Sequence, residues 1–166
     1  MLLYRQLVYT SNLKGAPMHT DKKIDGIIFD FGRILANFSH EIMLRNFSSL
    51  TNGRYRPEEI KAVVMTPELS QAHERGELSS AEFRERTCEA LSISISDEEF
   101  DIAWSDIFSV NPGMGELIAD ISPRIKTCVL SNTDPIHWAK IETLPVMKEH
   151  FSDPARLALS FRIGAR

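Results

Sequence analysis

The sequence predicts an α/β protein with a Rossmann-like parallel sheet core and an inserted helical cap. Two short apolar segments, residues 24–29 and 125–130, have the pattern of buried strands, and each runs directly into polar residues. The long stretch between them, residues 39–109, shows apolar residues at helical spacing together with helix-start signals. Because strands that alternate with helices favour a parallel sheet with right-handed crossovers, this stretch is interpreted as an insertion into such a sheet.

Length, composition and charge indicate one globular core with a modest insertion. The chain has 166 residues, of which 43% are hydrophobic and 25% charged, and these are ordinary proportions for a globular protein. The 19 Lys and Arg residues against 23 Asp and Glu residues give a net charge of -4, so nucleic acid is not expected as a partner. The apolar runs are far shorter than the roughly 20 residues that span a bilayer, so no membrane segment is expected.

The cysteines and the N-terminal segment bear on localisation. Cys88 and Cys128 lack the spacing of a metal site or a disulfide framework, which favours a reducing cytoplasm. Arg5 interrupts the leucines near the N-terminus, so we expect no secretory signal there but a poorly ordered extension, with Met18 as an alternative translation start.

The expected domain division is an extension over residues 1–23, an α/β core over residues 24–38 and 110–166, and a helical cap over residues 39–109.

Helix-start signals divide the predicted cap. A first helix is expected after Ser39, and Pro57 suits the first position of a second, where its missing N–H is not needed. Ser79 and Ser96 each precede a glutamate by three residues, which is the spacing of a capping box. Apolar residues continue at helical spacing as far as Phe108, so no strand is expected within this block.

Strands and helices alternate again after the cap. The pattern predicts a helix over residues 115–120, a strand over residues 125–130, another helix, and a third strand over residues 157–161. The helix between the last two strands has a clear start, with Asp134 as its N-cap and Pro135 at its first position.

Two of the predicted strands end in residues that can bind an anion or a metal ion. Asp30 follows the first strand, and Ser131 and Asn132 follow the second. The carboxyl ends of parallel strands meet at one edge of a sheet, and open α/β sheets place their ligands there. We therefore expect the three side chains to lie at the same edge.

These strand ends carry a recognisable pair of motifs. The sequences FDFGRIL at residues 29–35 and VLSNT at residues 129–133 resemble the first two motifs of the haloacid dehalogenase (HAD) superfamily. The segment GELS at residues 76–79 is similar to part of the small helical cap of phosphatases related to bacterial glucose-1-phosphatase. The resemblance covers residues 24–166.

The resemblance implies a magnesium-dependent phosphomonoesterase that acts on a small phosphorylated metabolite, with a sugar phosphate favoured. Asp30 would attack phosphorus and form an aspartyl-phosphate. It would also bind Mg²⁺ through one oxygen, and the backbone carbonyl of Gly32 would supply a second oxygen ligand. Ser131 and Asn132 would donate hydrogen bonds to the phosphoryl oxygens.

Two residues of the first motif depart from the family pattern. Most members have a second Asp, the general acid, at the position of Gly32, and glycine cannot transfer a proton. A branch of the family also has Gly there, so a different acid is expected. Arg33 stands where Gly is usual, and it is expected either to tolerate a left-handed turn at some strain or to contact the substrate's anionic group.

The family's later motifs, a Lys and an acidic cluster, follow the third strand. The chain ends at Arg166 before either of them, so we expect a truncated enzyme with poor activity, an open sheet edge and self-association. A non-catalytic fragment of such an enzyme is one alternative. A metal-free 2-haloacid dehalogenase is another, and it is less favoured because residues 31–33 differ from that branch.

The same residues also have purely structural interpretations. Asp30 alone is typical of a loop or cap, and Ser131 and Asn132 fit a turn that leads to the helix cap at Asp134. The side chains expected to pack and not to react are His137 and Trp138. The side chains expected on a solvated cap surface are His73, Glu74 and Glu77.

Overall fold

The structure is a computed structural model that describes residues 24–165, so the predicted extension over residues 1–23, with Met18, lies outside the described residues. The strands in this range are β1 Gly26–Asp30, β2 Ala36–Phe38, β3 Phe108–Val110, β4 Lys126–Ser131 and β5 Leu157–Leu159. The helices are α1 His40–Leu50, α2 Pro57–Val64, α3 Ala72–Glu74, α4 Ser80–Leu91, α5 Asp97–Ser105, α6 Met114–Ile121, α7 Pro135–Ile141, α8 Pro145–His150 and α9 Ser160–Ile163. A π-helical turn, Pro67–Gln71, precedes α3, and a 3₁₀ turn, Pro154–Arg156, precedes β5.

Three strands form a parallel sheet in the order β1–β4–β5. Asp30 at the end of β1 pairs with Leu130, and Ser131 at the end of β4 pairs with Leu159. This register brings the ends of β1 and β4 to the same edge of the sheet. The parallel sheet and the helices inserted into it confirm the predicted α/β class.

A two-stranded antiparallel ribbon of β2 and β3 lies where the chain enters and leaves the cap. The expectation of an unbroken helical block was wrong here, because α5 ends at Ser105 and Phe108 starts a strand opposite Phe38. The Phe108 ring packs edge-on against Phe31 at 5.7 Å and against Phe38 at 6.5 Å between centroids. Strand pairing and aromatic packing together outweigh the helical spacing of these residues.

The third strand of the sheet is shorter than predicted. It begins at Leu157 as expected, but it ends at Leu159, because the chain turns into α9 at Ser160. The buried Ser160 hydroxyl bonds to the backbone of Thr133, and this contact fixes the turn against the loop that follows β4.

The helix starts that were predicted from capping residues at Ser79, Ser96 and Asp134 are confirmed. Ser79 and Ser96 cap α4 and α5, and each forms the complete capping box with its glutamate. Asp134 caps α7, with Pro135 in the first turn. The partners in each cap lie within one helical turn of each other, so their sequence spacing alone decides the contact.

Two buried apolar clusters hold the fold together. Members of the cap cluster include Met43, Phe47, Ile60, Phe83, Phe100 and Trp104. Members of the sheet cluster include Phe29, Leu35, Ile118, Val129, Ile141 and Leu159. Ile136 in the first turn of α7 belongs to the cap cluster, so α7 packs against both cap and sheet. No helix among residues 24–165 is long and apolar enough to cross a membrane.

Candidate active site

The sheet edge places the two predicted motifs side by side. Asp30 is exposed at the end of β1, and its Oδ1 accepts a hydrogen bond from the Gly32 N–H at 3.2 Å. On the neighbouring strand Ser131 is buried, and Asn132 directly after it is exposed. A carboxylate therefore stands beside two hydrogen-bonding side chains, as the parallel strand order predicts.

The loop after Asp30 is a tight turn with a left-handed residue. Arg33 has φ 63°, and its N–H donates to the carbonyl of Ala36 at 2.8 Å. The left-handed conformation costs a non-glycine residue about 1–2 kcal/mol. The Arg33 guanidinium lies over the Phe38 ring at 5.6 Å from its centroid. The predicted strain at Arg33 is therefore present, and this cation–π contact offsets part of it.

Gly32 packs against the ring of Phe38. A Cβ atom added at Gly32 would lie 3.0 Å from Cε1 of Phe38, closer than a comfortable van der Waals contact. The Phe38 ring thus occupies the space into which a side chain at position 32 would extend. Packing therefore favours glycine at position 32.

The strand ends open into a cavity of about 300 Å³ between the sheet edge and the cap. The predicted site residues all line it: Asp30, Gly32, Arg33, Ser131 and Asn132. Further titratable residues in its wall are His40 and Glu74 from the cap and His137 from α7. A larger cavity, about 420 Å³, is lined by residues of α7, α8 and β5 and includes none of the predicted site residues. The smaller cavity is therefore the candidate active site.

The loop after β4 is anchored by Ser160. The Ser160 hydroxyl accepts a hydrogen bond from the Thr133 N–H at 2.9 Å and donates one to the Thr133 carbonyl at 2.8 Å. Both residues are buried. This pair of bonds fixes the backbone one residue after Asn132. Sequence reasoning missed Ser160, because it was assigned to the interior of a strand.

Asp134 is the centre of a buried polar network behind this loop. Its Oδ1 accepts hydrogen bonds from the N–H groups of Ile136 at 2.9 Å and His137 at 2.8 Å, which is the predicted helix cap. Its Oδ2 accepts a hydrogen bond from the indole N–H of Trp104 in the cap at 3.0 Å and lies 2.6 Å from Nδ1 of His137. A single carboxylate therefore joins α7 to the cap.

The surroundings of His137 favour its protonated ring. Its Nδ1 faces the Asp134 carboxylate and its Nε2 lies 3.0 Å from the carbonyl of Trp104, so both ring nitrogens face acceptors. Burial opposes the charged form, but the charge and the hydrogen bond of Asp134 outweigh it and raise the pKa of His137. Burial likewise opposes ionisation of Asp134, yet His137 lowers the pKa of Asp134 to about 2. His137 therefore does more than the packing expected of it, whereas Trp138 is buried as expected.

His73 is not on a solvated surface, and that expectation was wrong. Its side chain is fully buried, and its ring stacks on Phe83 at 4.3 Å between centroids. Its Nδ1 lies 3.7 Å from Oδ1 of Asp134, and desolvation by burial lowers the pKa of His73, which favours the neutral ring. Glu77 is exposed as expected and pairs with Arg75 at 2.6 Å. The turn Pro67–Gln71 and the short α3 carry His73 inward, which sequence periodicity does not reveal.

Comparison with solved structures identifies the fold. The structure superposes on a HAD family enzyme from Bacteroides thetaiotaomicron with a TM-score of 0.73 and 22% identity, covering 87% of this chain and 72% of that chain. A second structure of that enzyme, in complex with magnesium and inorganic phosphate, gives 0.72 with the same identity and coverage. A predicted HAD-like family hydrolase from Porphyromonas gingivalis gives 0.72 at 20% identity, covering 86% of this chain and 69% of that chain.

The chain therefore has the fold of HAD family enzymes. No family model matches the sequence. At this level of identity the likeness defines the architecture, and the chemistry has to be argued from the side chains in the cavity.

The residues at the end of β1 suit a hard divalent cation. Asp30 offers an exposed carboxylate, and the backbone of Gly32 is adjacent to it. Mg²⁺ prefers oxygen ligands and keeps several of its waters, so one carboxylate and one carbonyl are a suitable partial ligand set. Within residues 24–165 no cluster of three or more His, Cys, Asp or Glu side chains has metal-binding geometry. The buried Asp134 is committed to His137 and Trp104 and is not available as a ligand.

Proposed function

We propose that this chain is a magnesium-dependent phosphomonoesterase of the HAD type, acting on a small phosphate ester through an aspartyl-phosphate. One observation carries the proposal: Asp30 and the Ser131–Asn132 pair end neighbouring parallel strands and line one cavity. A nucleophile and hydrogen-bond donors in the wall of one small cavity are what phosphoryl transfer needs.

The chemistry follows from these side chains. An oxygen of Asp30 attacks phosphorus, the bond from phosphorus to the ester oxygen breaks, and the alcohol leaves with a proton. Ser131 and Asn132 donate hydrogen bonds to the equatorial phosphoryl oxygens, where charge is spread in the transition state. Water then attacks the aspartyl-phosphate, which releases phosphate and restores the Asp30 carboxylate. Bound Mg²⁺, held by Asp30 and the Gly32 carbonyl, would offset the repulsion between carboxylate and phosphate.

The charges around the cavity support an anionic ligand. The guanidinium of Arg33 lies in the wall, whereas any charge on His137 is offset by the Asp134 carboxylate 2.6 Å away. A positive charge beside a small cavity attracts a phosphate and lowers the energy of its transfer. The cap residues His40 and Glu74 complete the wall, so the cap restricts the size of the alcohol. A sugar phosphate is the favoured substrate class within this proposal.

Phosphate release from a panel of sugar and nucleotide phosphates, with and without Mg²⁺, tests the proposal. The Asp30→Asn variant keeps the shape of the side chain and removes its charge, so activity should fall by several orders of magnitude. Asp25→Asn is the matched control, because Asp25 is exposed just before the opposite end of β1. Full activity of Asp30→Asn would contradict the assignment. Metal-independent halide release from 2-haloacids, without phosphate release, would favour the dehalogenase alternative.

A further inference from the structure

His40 lies in the wall of the candidate active site at the point where the cap begins. It is the first residue of α1, and it lines the same cavity as Asp30. Its ring lies 5.1 Å from the Phe38 ring between centroids. Phe38 is the side chain that fills the space beside Gly32. A titratable imidazole therefore lies beside the aromatic ring that fills the space next to Gly32.

Cleavage of an unactivated phosphate ester needs a proton donor, because an alkoxide is a poor leaving group. Gly32 has no proton to give. His137 has both ring nitrogens committed, to Asp134 and to the Trp104 carbonyl. Arg33 does not release its proton at ordinary pH. Among the described residues of the cavity wall, His40 and Glu74 are the remaining candidates.

The surroundings of His40 favour release of its proton. Desolvation lowers the pKa of His40, and the charges of His137 on α7, Lys61 on α2 and Arg33 in the β1–β2 loop lower it further. A phosphate dianion that enters the same cavity favours the protonated ring. Neutral and protonated forms of His40 are thus both accessible during a reaction cycle, which suits an acid that later acts as a base.

We propose that His40 is the proton donor to the leaving alcohol and then the proton acceptor for the attacking water; this rests on the phosphomonoesterase function proposed above. In the first step Asp30 forms its bond to phosphorus, the ester bond breaks, and the alcohol oxygen takes the proton of the His40 imidazolium. In the second step water attacks phosphorus and gives a proton to the neutral His40. The bond from phosphorus to Asp30 breaks, so the enzyme returns to its starting protonation state.

Leaving-group dependence tests this assignment on the intact chain. For His40→Gln, kcat/KM for a sugar phosphate should fall about 10²–10⁴-fold. The value for p-nitrophenyl phosphate should change less than about tenfold, since nitrophenolate leaves without a proton. Loss of the base should also produce a burst of nitrophenol followed by slow turnover. In the unaltered chain kcat/KM for the sugar phosphate should decline as pH rises through the pKa of His40, and His40→Gln should remove that decline.

Matched variants separate the possible outcomes. His150→Gln makes the same change on α8, away from the cavity, and should keep normal leaving-group dependence. Equal losses with both substrates in His40→Gln and in His40→Asn would overturn the proposal, as would a selective loss in Glu74→Gln that His40→Gln lacks. If Asp30→Asn abolishes activity while His40→Gln keeps its sugar-phosphate activity, only the role of His40 fails. If the unaltered chain releases no phosphate from either ester, both proposals fail.

Discussion

Asp134 and His137 form an ion pair one helical turn apart, with 2.6 Å between Oδ2 and Nδ1, where Asp134 is 1% and His137 12% exposed. The same Oδ2 accepts the Trp104 indole N–H, and Nε2 of His137 reaches the Trp104 carbonyl. The pair therefore binds the cap to α7, the helix that follows the loop after β4. This contact holds the cap over the cavity that contains Asp30.

Removing the carboxylate of this network should destabilise the whole chain. Asp134→Ala leaves the His137 cation and the Trp104 N–H buried without their acceptor, so the free energy of unfolding should fall by about 3–5 kcal/mol. Asp153 is also an N-cap, but the hydrogen bond that it accepts from the Ala155 N–H is exposed. Asp153→Ala should therefore lower the free energy of unfolding by about 1 kcal/mol. Urea denaturation of both variants measures the difference. Equal losses would show that Asp134 acts only as a helix cap.

The ion pair should give the chain a pH-dependent stability with a defined sign. His137 has a raised pKa, so its contribution is fully present below 6.5 and is lost as pH rises through the raised value. Asp134 has a lowered pKa, so its contribution is present above 3.8 and is lost as pH falls towards 2. The stability difference between the unaltered chain and His137→Gln should therefore be largest between pH 3.8 and 6.5.

Thermal melting of the two chains across this range checks that prediction. The variant comparison is needed because His73, whose pKa is lowered by burial, acts in the opposite sense and destabilises the chain as pH falls below 6.5. His73 is present in both chains, so its contribution largely cancels in the difference. A difference that grows above pH 7 would contradict the charged state assigned to His137.

Gly76 in the cap lies close to the backbone of α9 in the core. It has φ 71°, and an added Cβ would lie 2.4 Å from the carbonyl oxygen of Phe161 in α9. Gly53 also has φ 71°, but nothing lies within 4 Å of its Cβ position. Gly53→Ala should cost about 1–2 kcal/mol from backbone strain alone, whereas Gly76→Ala should cost about 1–3 kcal/mol more because of overpacking. Chemical denaturation of the two variants measures both stability losses, and their difference gives the contribution of the clash with Phe161. Equal losses would contradict the close approach of Gly76 to Phe161.

At position 33, glycine should give a more stable chain than alanine. Its φ of 63° strains any residue with a Cβ, so Arg33→Gly should be more stable than Arg33→Ala by about 1 kcal/mol. Both variants lose the guanidinium equally. If Arg33 contacts the substrate's anionic group, both should raise KM for a phosphate ester by a similar factor. Comparison of melting temperatures and KM values measures the two effects separately, and a more stable Arg33→Ala would argue against the left-handed turn.

Ser160 should matter for both stability and phosphate affinity. Ser160→Ala removes the hydroxyl that bonds to both the N–H and the carbonyl of Thr133. Because buried polar groups are then left unpaired, the variant should lose about 1–3 kcal/mol of stability. The loop that carries Ser131 and Asn132 loses its anchor, so inorganic phosphate should bind more weakly in calorimetric titration. Ser152→Ala, at an exposed serine, should change stability by less than about 0.5 kcal/mol. Unchanged phosphate affinity in Ser160→Ala would show that the anchor is not needed for binding.

Features that depend on neighbours along the chain could be predicted from the sequence alone. The boxes at Ser79 and Ser96 and the cap at Asp134 formed as predicted, because each joins groups within one helical turn. The ends of β1 and β4 were also predictable, since the shared direction of parallel strands brings Asp30 and Ser131 to one edge. Apolar periodicity and polar strand ends thus sufficed for the α/β class and for the meeting of Asp30 with Ser131 and Asn132, but not for His40, Glu74 and His137 in the cavity wall.

Contacts between residues far apart in the sequence could not be predicted, because they depend on the packed fold. Phe108 became a strand residue because Phe38 pairs with it, Ser160 became an anchor because Thr133 lies 27 positions earlier, and Trp104 found its acceptor 30 positions later. The burial of His73 was equally hidden, since it depends on Phe83 and on Asp134 of the core. Such contacts depend on how helices and strands pack, and the free energy of burying these side chains outweighs their local propensities.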